Sequence, residues 1–498
     1  MRRPAAIILA SGFALLLALQ SGCTAMAPIA SVSSPDKSVR SMRNAEPCKT
    51  AYPNPDPSAL ENPPAGAIVQ AAFQAPAADH PALDLPFPPQ TALNLETVVQ
   101  EVLTRNPTLA QVTAAWQAAS ARQPQVTSLD DPMFRLTGAP ASIGSNTVEF
   151  GYSLEVSQKY PFPGKLDLRG RNAAAEASAV GHEVEDMRLQ LIESALNAFY
   201  DYYLVHRAQA VNDENLSLLK QARESAENRV STAKAPLQDV YQIDVEIGRQ
   251  KERVVTLERM RKVAIARLNT LMHLPPDAPL PPPPTKVVLA DALSPIEVLR
   301  AQAAQRPDVR ALADRVTAEE SSLALAEREF YPDFEVGGRY DTIMGNGPMR
   351  DLAGQVTVGI NLPVRGTRRR AAVAEARARI AQRRAELARL SDQVNYQIQE
   401  AYEQVVESEA LVRLYEETIL PAADKNVTAA RNAYGVGQIP LLSYLEAQRT
   451  KVGLYDRHYQ ALAESHQRRA ALERAAGVPL AGVGTPAQQR IPHAPDKP

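Results

Sequence analysis

Two sets of charged residues could do chemistry in this 498-residue chain. Basic clusters occupy two turns: Lys165, Arg169 and Arg171, and later Arg365, Arg368, Arg369 and Arg370. Single acids, Asp239 and Glu446, follow two other turns. Cations at a helix start oppose its dipole, so something should compensate them. A lone acid on a helix is ordinarily solvated, and it matters only if repetition gathers it into a ring. Enzyme chemistry is absent from the pattern. His182, His206, His273, His458 and His466 are scattered, with no i, i+4 pair and no cysteine partner, so no metal site is expected. No nucleophile elbow, P-loop or dinucleotide fingerprint occurs, and no cofactor is expected.

The elements that must position these charges occur twice. Val148, Phe150, Tyr152, Leu154 and Val156 alternate with Glu149, Gly151, Ser153 and Glu155, the period-2 pattern of a strand. The turn Tyr160-Pro161-Phe162-Pro163-Gly164-Lys165 follows, then a helix through Arg171 to Glu176. In the second half Val356, Val358, Ile360 and Leu362 alternate likewise, before Pro363-Val364-Arg365-Gly366 and a helix through Arg370 to Glu375. Asn106-Pro107 and Arg306-Pro307 stand 200 positions apart, and Leu274-Pro275 and Val478-Pro479 stand 204 apart. The chain is a tandem repeat, 91–290 and 291–480, its halves linked by the proline-rich segment Pro275 to Pro284.

Each repeat reads as a short helix (Asn94 to Arg105; Ser294 to Gln305), a second helix from Pro107 or Pro307, and two strands. The strands are expected near 133–137 and 148–157, and near 334–340 and 352–362. A helical hairpin closes each repeat, 172–273 and 368–477. Ser294 with Pro295 and Glu297 is a capping signature. Pro421 should kink the second long helix. Those long helices, of about 60 residues, span about 90 Å at 1.5 Å per residue. Val180, Val184, Met187 and Leu191 form a seam with coiled-coil spacing, as do Leu387, Leu390, Val394, Ile398, Ala401 and Val405. The two shorter helices of each repeat, laid end to end, would flank the long one.

The N-terminus sets the compartment. Arg2 and Arg3 precede an apolar run from Ala5 to Leu19, a signal peptide over 1–22. Ser21-Gly22-Cys23 resembles a lipobox, which would make Cys23 the lipidated first residue; Thr24 after it favours the outer membrane by resemblance to the sorting rule. Residues 23–90, rich in Pro, Ala and Ser, read as an extended tether, and 481–498 as a disordered tail. Cys48 is the only other cysteine, so no disulfide framework exists. A net charge of −2 argues against nucleic acid. No later segment reaches the run of about 20 apolar residues of a membrane helix, so any bilayer contact is made by strands. Four strands cannot close a barrel, and open edges are not tolerated in lipid. Either the sheet is a soluble patch, or several chains each donate four strands to a barrel on a helical stalk.

This duplicated pattern resembles the outer-membrane efflux family, the TolC-like channels. The resemblance runs from about Leu93 to Leu480. It is carried by Asn106-Pro107, Tyr331-Pro332-Asp333-Phe334, Pro161-Phe162-Pro163-Gly164-Lys165, and Tyr434-Gly435-Val436-Gly437 before Pro440-Leu441. It implies a mainly α fold with a small membrane β-barrel, three chains building a 12-stranded barrel on an α-helical periplasmic barrel. The function implied is the passive exit duct of a tripartite efflux pump, working with a periplasmic adaptor and an inner-membrane transporter. Pro161 to Lys165 looks most like the branch paired with heavy-metal cation exporters of the resistance-nodulation-division class. The pattern hardly separates a pump duct from a protein or peptide secretion duct. A non-conducting periplasmic spacer would have no reason to keep an alternating strand twice.

The same architecture gives the charges places. The basic turns, Lys165, Arg169, Arg171, Arg365, Arg368, Arg369 and Arg370, would lie where barrel meets stalk, beside inner-leaflet lipid head groups. The helix-to-helix turns, with Ala235, Pro236, Tyr434, Gly435, Gly437 and Pro440, would be the stalk tips that dock the adaptor, Gly435 and Gly437 taking the positive φ that ends a helix. Asp239 and Glu446 would form an acidic constriction under threefold repetition.

Overall fold

The computed structural model describes residues 92–139, 151–289, 292–341 and 354–477. The signal peptide, Cys23, Cys48, the tether, the C-terminal tail and residues 148–150 lie outside them.

The order of elements is α1 (Leu95–Arg105), α2 (Pro107–Thr127), β1 (Met133–Ala139), β2 (Gly151–Tyr160), α3 (Lys165–Ser231) and α4 (Leu237–Leu271). The second repeat follows the same order: α5 (Ile296–Ala303), α6 (Pro307–Arg328), β3 (Phe334–Asp341), β4 (Gly354–Ile360), α7 (Gly366–Leu414), α8 (Leu420–Gly435) and α9 (Leu441–Ala476). In the first repeat α2 and α4 both pack along α3, and in the second α6 and α9 pack along α7. The end-to-end flanking expected from helix lengths is therefore present. The repeats also interlock, because α6 and α9 pack against α3. On both seams Val184, Leu191, Val394, Ile398 and Val405 are buried, with Met187, Leu390 and Ala401 packed against them.

The break before each proline does more than end a helix. Asn106 accepts from the Thr108 amide at 2.9 Å, capping α2, and its Nδ2 donates to Leu271 O at 2.9 Å. Arg306 makes the equivalent link, donating to Ala475 O at 3.1 Å. Each repeat thus ties its helix break to the end of its return helix. The segment after α4 is a packed strap: Asn269 donates to Ala278 O at 2.8 Å, and Tyr202 donates to Pro281 O at 3.2 Å.

Several boundaries differ from expectation. α3 starts at Lys165 rather than Asn172, because Gly164 at φ 85° turns the chain straight from β2 into helix. α7 starts at Gly366 rather than Arg368. Ser294 is not the cap of α5; Pro295 holds that position, without a side-chain cap bond. The second long helix is interrupted before Pro421. Tyr415–Ile419 form a π-helical turn in which the Leu420 amide donates to Tyr415 O, five residues back. A proline cannot donate and crowds the preceding turn, and a widened turn accommodates it.

The strands form one antiparallel sheet in the order β1-β2-β3-β4. Phe134, Val156, Gly338 and Val356 lie in one cross-strand row, as do Arg135, Glu155, Arg339 and Gln355 in the next.

Candidate functional site

The register sorts side chains by face. Phe134, Leu136, Tyr152, Leu154, Val156, Val336, Tyr340, Val356, Val358 and Ile360 share one face. Arg135, Ser153, Glu155, Ser157, Lys159, Glu335 and Arg339 share the other. The apolar face is open to solvent, unlike that of a globular sheet. Ser153 on the polar face is 2% exposed, whereas Val156 is 50% and Val356 82% exposed on the apolar face. Roughly ten half-exposed apolar side chains are worth on the order of 10 kcal/mol when moved out of water. β2, at 10 residues, has the length of a membrane-crossing strand. β1 and β4 each have one neighbour within the chain, so each leaves an edge without a strand partner among the described residues.

Where the sheet meets the helices, two motifs singled out separately in the sequence are joined. Asp333 Oδ1 accepts from the Phe162 amide and from Lys165 Nζ, both at 2.8 Å. Phe162 stacks on Tyr331 with centroids 4.6 Å apart, and Arg328 donates to Pro163 O. The sequence treats Lys165 as a head-group contact; the structure corrects this. Lys165 is 1% exposed, between Asp333 and Glu329, the latter 3.6 Å away. Arg369 is corrected likewise, since it is buried and its Nε donates to Glu329 O at 2.6 Å. Arg169 is half-buried, and Arg171 is exposed but paired to Asp167 at 2.9 Å. Arg365, Arg368 and Arg370 are exposed and without a charged partner among the described residues.

The helix-to-helix turns share one backbone pattern. Lys234 N donates to Arg229 O at 2.8 Å, and Gln438 N to Ala433 O at 2.9 Å. The left-handed residue is Gly437 (φ 80°) in one turn but Ala233 (φ 55°) in the other. Gly435 is the last residue of α8 and has no positive φ, contrary to expectation. Pro236, Gly435, Gly437 and Pro440 are exposed and Ala235 half-buried, but Tyr434 is 6% exposed and is no docking surface. Its ring stacks on Tyr444 at 6.0 Å and lies 4.5 Å under the Arg229 guanidinium, which also donates to Tyr434 O. Its hydroxyl donates to Asp239 Oδ2 at 3.1 Å. Burial, with the Asp239 carboxylate beside it, pushes the Tyr434 phenol up to about 12. Asp239 therefore acts as a link between the two hairpins, and Glu446 is separately exposed. A groove of about 890 Å³ opens beside the link, lined by Glu224, Arg229, Lys234 and Val436 among others.

The sequence reading missed the cross-repeat ties. Besides Arg229, Glu246 is 4% exposed and held by Arg449 at 2.5 Å; burial opposes its charge, but Arg449 more than offsets this and keeps its carboxyl below the usual range. Arg229 stands in the last turn of α3, where an arginine ordinarily caps its own helix, but it bonds Tyr434 O of the other hairpin instead. Nothing in the spacing marks Glu246 and Arg449 as partners.

Residues 298–478 match the model of the outer membrane efflux protein family. A curated relative, toxin and drug export protein A of Aggregatibacter actinomycetemcomitans, is 26% identical over 233 residues, 44% of this chain. The match spans about half of that relative, 49% of its length. The solved channel CusC covers 82% of this chain with all of its own length, at 17% identity and a TM-score of 0.67. The outer membrane protein VceC of Vibrio cholerae covers 77% with 96% of its length, at 19% identity and TM-score 0.65. The open-state outer membrane channel MtrE of Neisseria gonorrhoeae covers 77% with 89%, at 17% identity and TM-score 0.64. At these identities the solved structures share the fold of this chain.

Proposed function

Because residues 298–478 match the outer membrane efflux protein family and the chain shares the fold of solved outer-membrane channels, we propose that it is the outer-membrane exit duct of a tripartite efflux pump. Three copies each donate four strands to a 12-stranded barrel, and their helices continue it as a periplasmic tube. The observation that carries this reading is the inverted sheet, exposed on its apolar face, charged on its other face, and without a strand partner at either edge among the described residues. Lipid satisfies the apolar face and neighbouring copies the edges, while Arg135, Glu155, Glu335 and Arg339 suit the other face to a water-filled lumen. The duct is passive, its cargo presented by an inner-membrane transporter through an adaptor seated on the exposed tip residues Pro236, Gly435, Gly437 and Pro440, with Ala235 beside them. Cys23 carries the lipid anchor.

The tips also hold the tube shut. Arg229, Tyr434 and Asp239 tie the end of the first hairpin to that of the second, so widening the tube separates them. Glu446, exposed close by in sequence, supplies an acidic ring under threefold repetition and favours cations. The relative named for toxin and drug export favours organic or peptide cargo over metal cations, and the junction motif Pro161 to Lys165 serves structure through Asp333. The test is planar-bilayer recording with protein whose mass in detergent is measured. A trimer that conducts, with cation preference lost in Glu446→Gln, supports the reading. A monodisperse monomer without conductance overturns it, since one chain leaves two edges in lipid.

A further inference from the structure

Exposed apolar residues continue past the end of β4. Leu362 and Val364 follow Val356, Val358 and Ile360 at the same sequence spacing, and are 71% and 83% exposed. Arg365 follows at once, and Arg368 and Arg370 lie within the first turn or so of α7. All three arginines are exposed and without a charged partner among the described residues. In the first basic turn two of the three cations are paired: Lys165 with Asp333 and Arg171 with Asp167. α7 has no acid in its first turn. Its five residues from Gly366 to Arg370 rise about 7 Å. A head-group layer is about 5–7 Å thick on each side of the hydrocarbon.

We propose that Leu362, Val364, Arg365, Arg368 and Arg370 form a binding patch for the phosphate of an anionic phospholipid, one patch per chain. The proposal rests on the outer-membrane reading above. Leu362 and Val364 mark the end of the hydrocarbon band, and the arginines meet the phosphates just beyond it. Guanidinium forks suit phosphate oxygens, and the patch offers three of them without a competing carboxylate among the described residues.

The test uses the full-length protein in neutral detergent, titrated with fluorescent phosphatidylglycerol or phosphatidylcholine. One arginine beside an anionic surface changes partitioning about fivefold, the equivalent of ~1 kcal/mol. Three predict a preference for phosphatidylglycerol of about a hundredfold. In R365Q/R368Q/R370Q the two lipids should bind within a factor of about three, the scatter usual for single contacts. R377Q/R379Q/R384Q, further along the same helix, should keep the wild-type preference; equal loss there would show a general charge effect and overturn the patch. If the triple variant does not fold, Arg368→Gln alone should lower the preference about fivefold, and an unchanged preference overturns the proposal. Excess inorganic phosphate should not displace the lipid, because it lacks acyl chains for Leu362 and Val364; complete displacement would make this a free-anion site. Wild-type protein that conducts without lipid preference sinks the patch alone. Lipid preference without conductance leaves the patch and sinks the duct.

Discussion

Replacing Tyr434 with Phe removes one hydroxyl from the tip and little else. The ring stays buried, stacked on Tyr444 and covered by Arg229. What disappears is the 3.1 Å bond from the hydroxyl to Asp239. A hydrogen bond to a charged acceptor contributes about 1.5–3 kcal/mol, and Asp239 is half-exposed, so water recovers part of it and the low end applies. About 1.4 kcal/mol is tenfold in an equilibrium. If opening the tube breaks this bond in each chain, the closed-to-open ratio falls about tenfold for every chain that must move. Macroscopic current through planar bilayers at fixed protein density should rise accordingly, with unitary conductance unchanged. Tyr444→Phe is the control, since it keeps the stack and removes no bond to a carboxylate. A Tyr434→Phe current equal to wild type, or an equal rise in Tyr444→Phe, would refute the assignment of this link to closure.

At the sheet junction, Lys165→Met should destabilise the protein by about 2 kcal/mol, below the 3–5 kcal/mol of a fully buried pair because the Asp333 side chain is partly exposed. Lys165→Met with Asp333→Asn should recover most of that in thermal unfolding, and a purely additive double variant contradicts the pairing. Burial pushes His466 down to about 4, its ring stacked on Tyr200 at 4.7 Å. A depressed folded pKa stabilises above the unfolded value of 6.5, and this is lost as pH falls towards 4. At pH 5 the loss is about 2 kcal/mol, so His466→Phe should be less acid-sensitive than wild type in thermal unfolding from pH 7 to 5. Cys23→Ser should abolish palmitate labelling while the barrel still inserts; unchanged labelling would move the anchor elsewhere.

Much of this architecture was legible because backbone constraints leave marks that survive in the sequence. Pro107 and Pro307 start helices where a missing N–H costs little, and Val356 to Ile360 alternate because a two-sided sheet has period two. The tertiary ties were not legible. Asp333 and Lys165 lie 168 positions apart, and each was read within its own motif. Lys165 looked like a surface cation because only its partner makes burial tolerable. The left-handed turn at Ala233 carries no glycine to announce it, whereas its twin at Gly437 does; Gly435, expected alongside it, has no positive φ. The π-helical turn begins six residues before Pro421, so the proline marks a disruption that falls upstream of it.

The central claim is that the sheet stands with its apolar face in lipid and its polar face in water. A tryptophan scan of β4 measures this directly, with the single native Trp116 in α2 as constant background. Val356→Trp, Val358→Trp and Ile360→Trp should be strongly quenched by brominated lipid in reconstituted vesicles. Gln355→Trp and Thr357→Trp should be quenched weakly by the lipid and strongly by aqueous iodide. Quenching that alternates in this sense is the predicted result; equal quenching at all five positions, or alternation of opposite sense, contradicts the account.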